Sequence, residues 1–286
     1  MPPPLAGHTL DLPSSDPAIL LRVRFAAAAS SSSAPLPPST SQEKKNSCTP
    51  PALGLLLLHA YPRLGGSSAD PVVAAVYHAA RKSGRFALVV RYDQRGAGAS
   101  GGGKGVWGWA DAADAAALAG RMRGGTLAPG APPIDRLYVC GYSWGGVLGA
   151  LGVVGGSGGR GSAPPPVAGW VGVSPPLGGL PGLALRTGRA CAALGSAPSV
   201  PGLVILGDRD QFCSVRAARE AVCRINEERR STAPAPTPAA APATVDLAVV
   251  EGTDHFWGAA TPWCPNWGEV AGSVLGWIEG VEGGRG

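Results

Sequence analysis

Ser143 stands in Gly141-Tyr142-Ser143-Trp144-Gly145, directly after the apolar run Leu137–Cys140 and just ahead of Val147, Leu148 and Leu151 at helical spacing. A serine hydroxyl is a poor nucleophile at neutral pH. It performs acyl transfer only if an imidazole takes its proton and a carboxylate holds that imidazole in the right tautomer. The chain has 4 histidines in 286 residues, which narrows the search for the imidazole. His8 falls in an opening hairpin, His78 lies on a helix, and His59 ends a strand ahead of the serine in chain order. His255, in Asp254-His255-Phe256 after the last strand, is the candidate base, with Asp254 as a turn residue. Two carboxylates compete to orient it, Asp208 and Asp210 in Gly207-Asp208-Arg209-Asp210, and either could instead cap the following helix.

These groups need a frame. An apolar strand entering Gly-x-Ser-x-Gly and leaving as a helix puts the serine on a strained turn, with the glycines letting neighbouring backbone pass close. It also aims the backbone N–H of Trp144, at a helix N-terminus, at charge developing beside Ser143. With 44 glycines the spacing alone is weak, and its place between strand and helix carries the weight.

Further strands are expected at Leu55–Leu58, Phe86–Tyr92, Val167–Ser174, Gly202–Leu206 and Val245–Val250. Between them Asp70-Pro71 opens a helix striped by Val72, Val73, Val76, Tyr77 and Ala80 and stopped by Gly84. Another helix runs from about Ala110 to Met122, Ser214 caps a third, and Trp267 to Val281 stripes the last. Gly7–Leu12 and Ala18–Phe25 read as an antiparallel N-terminal hairpin. The expected class is α/β, a mostly parallel central sheet flanked by helices, because parallel strands need crossover connections. Open sheets of this kind bind ligands at the C-terminal ends of their strands, where Ser143, both aspartates and His255 fall. Pro175 to Pro201 has room for one short helix, so no large cap domain is expected.

A hydrophobic fraction of 45% supports a sizeable core, while charged residues make up only 15%. Low-complexity insertions at about 26–51, 155–166 and 231–243 interrupt a single domain, 1–286. Shortening 30–47, 155–165 or 232–241 is expected to leave unfolding midpoints and activity nearly unchanged, because long surface loops add little closure cost. The net charge of +5 is scattered without a long basic run, which argues against nucleic acid. Six cysteines show no zinc spacing and read as reduced thiols. No apolar run approaches the ~20 residues of a membrane span and no leader is evident, so a cytoplasmic location is expected. The turn Arg95-Gly96-Ala97-Gly98 lacks the spacing and lysine of a phosphate loop.

The series His59-x-x-Pro62, Arg95-Gly-x-Gly-x-Ser100, Gly141-Tyr-Ser-x-Gly145, Gly207-x-x-Asp210 and Asp254-His-Phe256 resembles the α/β-hydrolase superfamily, and within it the small lid-poor serine hydrolases. The resemblance implies Ser143 as nucleophile, Asp210 as the acid and His255 as the base. The oxyanion donors are expected to be the backbone N–H groups of Trp144 and Tyr61, with Ala60 as the alternative to Tyr61, since Pro62 has none. His59 would shape the loop and, with Ala60, Phe212 and Trp257, border the substrate. Strand-end loops carrying Tyr61, Trp107, Trp109, Trp144, Phe212 and Trp257 would wall the site. The expected activity is hydrolysis of small carboxylic esters or thioesters through an acyl-enzyme, with a small-molecule acyl substrate and neither metal nor cofactor. An amide or peptide hydrolase, or a non-catalytic hydrolase-fold scaffold, is the alternative.

Overall fold

Leu55 and Leu57 face one side of a central sheet and Leu56 and Leu58 the other, each 1% exposed or less, so a continuous run of leucines serves two cores. Both faces are covered, as a parallel strand requires. The computed structural model describes residues 6–27, 50–105, 108–156, 167–178, 187–232, 242–258 and 266–284. Most of the three low-complexity insertions lies outside these residues.

Strands β1 (Ala6–Pro13) and β2 (Leu20–Ala27) form the hairpin. β3 (Leu53–Leu58), β4 (Leu88–Tyr92), β5 (Arg136–Tyr142), β6 (Val167–Val173), β7 (Gly202–Gly207) and β8 (Val245–Val250) follow. The sheet runs in the order β1, β2, β4, β3, β5, β6, β7, β8. β2 meets β4 antiparallel, and every pairing from β4 to β8 is parallel. The chain therefore steps from β3 to β4 on one side and returns to lay β5 on the other. That reversal opens a crevice between the loops after β3 and β5, the place where such sheets take ligands.

Helices α1 (Pro71–Ser83) and α6 (Trp267–Glu282) pack on the face of Leu55 and Leu57. α2 (Trp109–Arg123), α3 (Trp144–Leu148), α4 (Gly188–Gly195) and α5 (Val215–Thr232) join the core of Leu56 and Leu58. Local chemistry sets their ends. Asp70 Oδ1 accepts from Val72 N at 3.2 Å, Gly84 closes α1 at φ 65°, and Ser214 Oγ accepts from Ala217 N at 3.2 Å. None of the described helices is long and apolar enough to cross a membrane.

Strand ends shift by about two residues, as in β2, β3 and β4, and two helix boundaries also depart from the sequence reading. Beyond α3 the chain winds as a π-helical turn, Gly149–Val154, rather than continuing α-helical. There Gly152 lies so close to α2 that a Cβ would sit 2.1 Å from Ala112 O, and Trp170 Nε1 donates to Gly146 O at 3.1 Å. The other difference is α5, which runs through Ser231 and Thr232, whose hydroxyls donate back to Glu228 O at 2.8 and 2.9 Å.

The turn after β4 is held internally. Arg95 forks onto Asp114 with contacts of 2.6 and 3.0 Å, Ser100 Oγ donates to Asp93 O at 2.6 Å, and Gly98 leaves no space for a Cβ against the Asp93 carboxylate. Cys140, Cys191, Cys213 and Cys223 are free thiols.

Candidate active site

Ser143 sits between β5 and α3 at φ 52°, ψ −119°, a conformation that a residue with a side chain adopts only under strain. Backbone bonds hold it there. Its N–H donates to Val173 O at 2.7 Å and its carbonyl accepts from Gly146 N at 3.0 Å. The flanking glycines are required by contact, since a Cβ on Gly141 would lie 2.2 Å from Gly145 carbonyl atoms and one on Gly145 2.3 Å from Leu58 O. Gly145→Ala is therefore expected to destabilise the protein by about 2 kcal/mol or more, read from the urea midpoint. Gly120→Ala, an exposed α2 position with nothing within 4 Å of its Cβ, should instead stabilise by roughly 0.5 kcal/mol.

Residues far apart in sequence meet at this turn. His255 Nε2 is 3.0 Å from Ser143 Oγ, and its Nδ1 is 2.9 Å from Asp210 Oδ2. The other carboxylate oxygen of Asp210 accepts from Phe212 N at 2.8 Å and Cys213 N at 2.9 Å. Asp210 is 8% exposed and His255 5%. Between the two rival carboxylates the geometry is unequal, because Asp208 is exposed and, among the described residues, its side chain accepts only from Thr253 N, at 3.2 Å. Tyr142 Oη donates to His255 O at 2.9 Å, and the Phe212 ring lies 4.4 Å from the imidazole, fixing both ends of the histidine.

No protein-family model and no curated protein matches this chain. Solved structures match over nearly its whole length. They include a protein of unknown function from Agrobacterium tumefaciens (18% identity, 97% of this chain and 98% of that one, TM-score 0.65). An α/β serine hydrolase without lid from Xanthomonas campestris matches at 18% identity, covering 96% of this chain and 98% of that one, with a TM-score of 0.59. A Pyrococcus furiosus esterase matches at 16% identity, covering 98% and 91%, with a TM-score of 0.57. The fold is that of the α/β hydrolases.

The turn that carries Ser143 opens onto a cavity of ≈ 560 Å³. Ser143, His255, Trp144, Ala60, Tyr61 and Phe212 border it. Trp144 is the first residue of α3, so its N–H is one of those a helix leaves without an internal partner. The Tyr61 ring packs edge-on against Trp144, with centroids 5.6 Å apart.

Two residues expected at the substrate lie elsewhere. His59 is fully buried and off the cavity wall, its Nδ1 donating to Ala60 O at 2.7 Å and its Nε2 accepting from Gln94 N at 2.9 Å. Burial drives its pKa down to about 4, so it ties the β3 and β4 loops together as a neutral ring. Trp257 is also fully buried, with φ 57°, and its Nε1 donates to Ser174 Oγ at 3.2 Å. The left-handed backbone turns its indole into the core beneath the site and leaves Phe256, 61% exposed, on the cavity rim. Of the other aromatics expected there, Trp109 lies under the Arg189 guanidinium, 4.7 Å from the ring centroid, off the wall. Trp107 lies outside the described residues.

The sequence reading also passed over residues that do line the cavity, chiefly Asp70, Tyr142, Leu64 and Phe256. A signal existed for one of them. Asp70 opens the helix after β3, and the N-terminus of that helix lies at the same sheet edge as the strand ends that carry Ser143 and His255.

Proposed function

We propose that this protein is a serine hydrolase that cleaves carboxylic esters or thioesters through an acyl-enzyme. The observation that carries the reading is the unbroken chain of contacts from Ser143 Oγ through His255 to an Asp210 carboxylate anchored by two backbone amides. With Nδ1–H donating to Asp210, Nε2 is left as the acceptor facing the serine. As Ser143 Oγ bonds to the substrate carbonyl carbon, its proton passes to Nε2 and the carbonyl electron pair moves onto oxygen. The N–H groups of Trp144 and Tyr61 are assigned to that oxyanion. The carbon–oxygen or carbon–sulfur bond then breaks, and the leaving group departs with the proton from Nε2. Water repeats the sequence on the acyl-enzyme, giving its proton to Nε2 and releasing the acid, while Ser143 recovers its hydrogen.

A fluorophosphonate probe tests this directly. Wild type should become labelled at Ser143, and Ser143→Ala should not; an unlabelled wild type under conditions that label a control esterase would refute an activated serine.

Substrate size follows from the walls. They consist of short loops carrying Tyr61, Phe212 and Phe256, and ≈ 560 Å³ is in the range of pockets that hold small ligands. Higher kcat/KM is expected for acetyl or butyryl esters than for palmitoyl esters, with little interfacial activation. Each methylene left outside an apolar wall forfeits about 0.8 kcal/mol. A clear preference for long chains below their micelle concentration would contradict this.

A further inference from the structure

Asp70 lines the cavity that opens onto Ser143, and nothing in the proposed acyl-transfer chemistry uses it. Its Oδ1 caps α1 through Val72 N at 3.2 Å. Among the described residues, Oδ2 has no hydrogen bond, and no lysine or arginine lines the cavity or pairs with this carboxylate. Capping does not require the charge, since asparagine or serine accepts the same bond.

Burial outweighs the bond from Val72 and the charge of His255, and the carboxyl is pushed up to about 6. The titratable groups facing it are His255, which lowers it, and Tyr142, whose own ionisation it opposes. Tyr61, Phe212 and Phe256 border the same cavity with partly or fully exposed aromatic side chains, whereas the rings of Trp144 and Tyr142, which also border it, are buried in the cores. A partly desolvated anion in a cavity bordered by aromatic side chains is complementary to one kind of ligand group, a large, weakly hydrated cation.

We propose that Asp70 and the aromatic wall form a cation subsite, and that the substrates of this enzyme are esters carrying a quaternary or tertiary ammonium group. The substrate class rests on the hydrolase reading, whereas the subsite itself does not. Binding the cation supplies the counter-charge that Asp70 lacks, and the rings take the alkyl shell around the nitrogen. Anionic acyl groups such as succinyl are excluded by the same carboxylate.

Two matched substrate pairs test this at pH 8, where Asp70 is ionised. Butyrylcholine against its carbon isostere, dimethylbutyl butyrate, places the charge on the alcohol. The phenyl ester of trimethylammoniobutanoate against that of dimethylhexanoate places it on the acyl group. The readout is the ratio of kcat/KM within each pair, which cancels effects on the shared triad. Wild type should favour the cationic member of at least one pair by about tenfold or more, and Asp70→Asn, which keeps the cap and removes the charge, should cut that ratio by about threefold or more, leaving what the rings contribute.

Asp70→Ser should behave like Asp70→Asn, which separates charge from side-chain shape. Titration calorimetry of the same esters on Ser143→Ala reads the ratio as Kd without turnover, so loss of the hydrolase reading would leave the subsite open to test. Ratios below about two for both pairs in wild type, by kinetics or by Kd, would overturn the proposal. So would a preference that Asp70→Asn leaves undiminished.

Discussion

Ser143→Ala and His255→Ala are each expected to lower kcat on butyryl esters by about 10⁴-fold or more, with unfolding midpoints close to wild type. The two should be nearly equal, and the double variant little worse, because a serine without its base and a base without its serine both leave only binding and the oxyanion donors. Stability should hold because neither side chain carries the turn. The bonds of Ser143 N to Val173 O at 2.7 Å and of Gly146 N to Ser143 O at 3.0 Å are backbone bonds and survive truncation. The φ of 52° strains alanine as it does serine. Initial-rate assays alongside urea unfolding check both halves. Turnover in Ser143→Ala within about tenfold of wild type would move the nucleophile elsewhere.

Asp210→Asn should cost about 10⁴-fold in kcat, through the direction in which the new amide must sit. Phe212 N and Cys213 N both donate to Oδ1, at 2.8 and 2.9 Å, so the asparagine keeps its oxygen there and turns its NH₂ toward His255 Nδ1. The imidazole then accepts at Nδ1 and carries its proton on Nε2, 3.0 Å from Ser143 Oγ, where it cannot take another. Asp208→Asn keeps the acceptor for Thr253 N and should change kcat by less than about threefold, as expected for an exposed position away from the site. If the Asp208 variant proved the more damaging, the carboxylate would be misassigned.

The sequence by itself determined the layered α/β class, the N-terminal hairpin and the serine turn. Each rests on local rules: apolar runs between turn residues, caps such as Asp70 and Ser214, and glycines where backbones touch. It also narrowed the imidazole to His255, because only that histidine both followed a strand and came after the serine. Between Asp208 and Asp210 it favoured Asp210 only through the resemblance, whereas the convergence of the loops after β7 and β8 brings His255 Nδ1 to within 2.9 Å of Asp210, 45 positions away. The cavity wall was decided the same way. Adjacent residues in a turn point in directions set by backbone angles that spacing does not encode, so Phe256 faces the cavity while Trp257, at φ 57°, enters the core. His59 was legible as a strand-end residue, but its burial follows from the β4 loop closing over it through Gln94. Asp70 read as a helix cap and nothing more. Only the folded sheet, by setting the start of α1 beside the ends of β5 and β8, turned a capping carboxylate into part of the pocket.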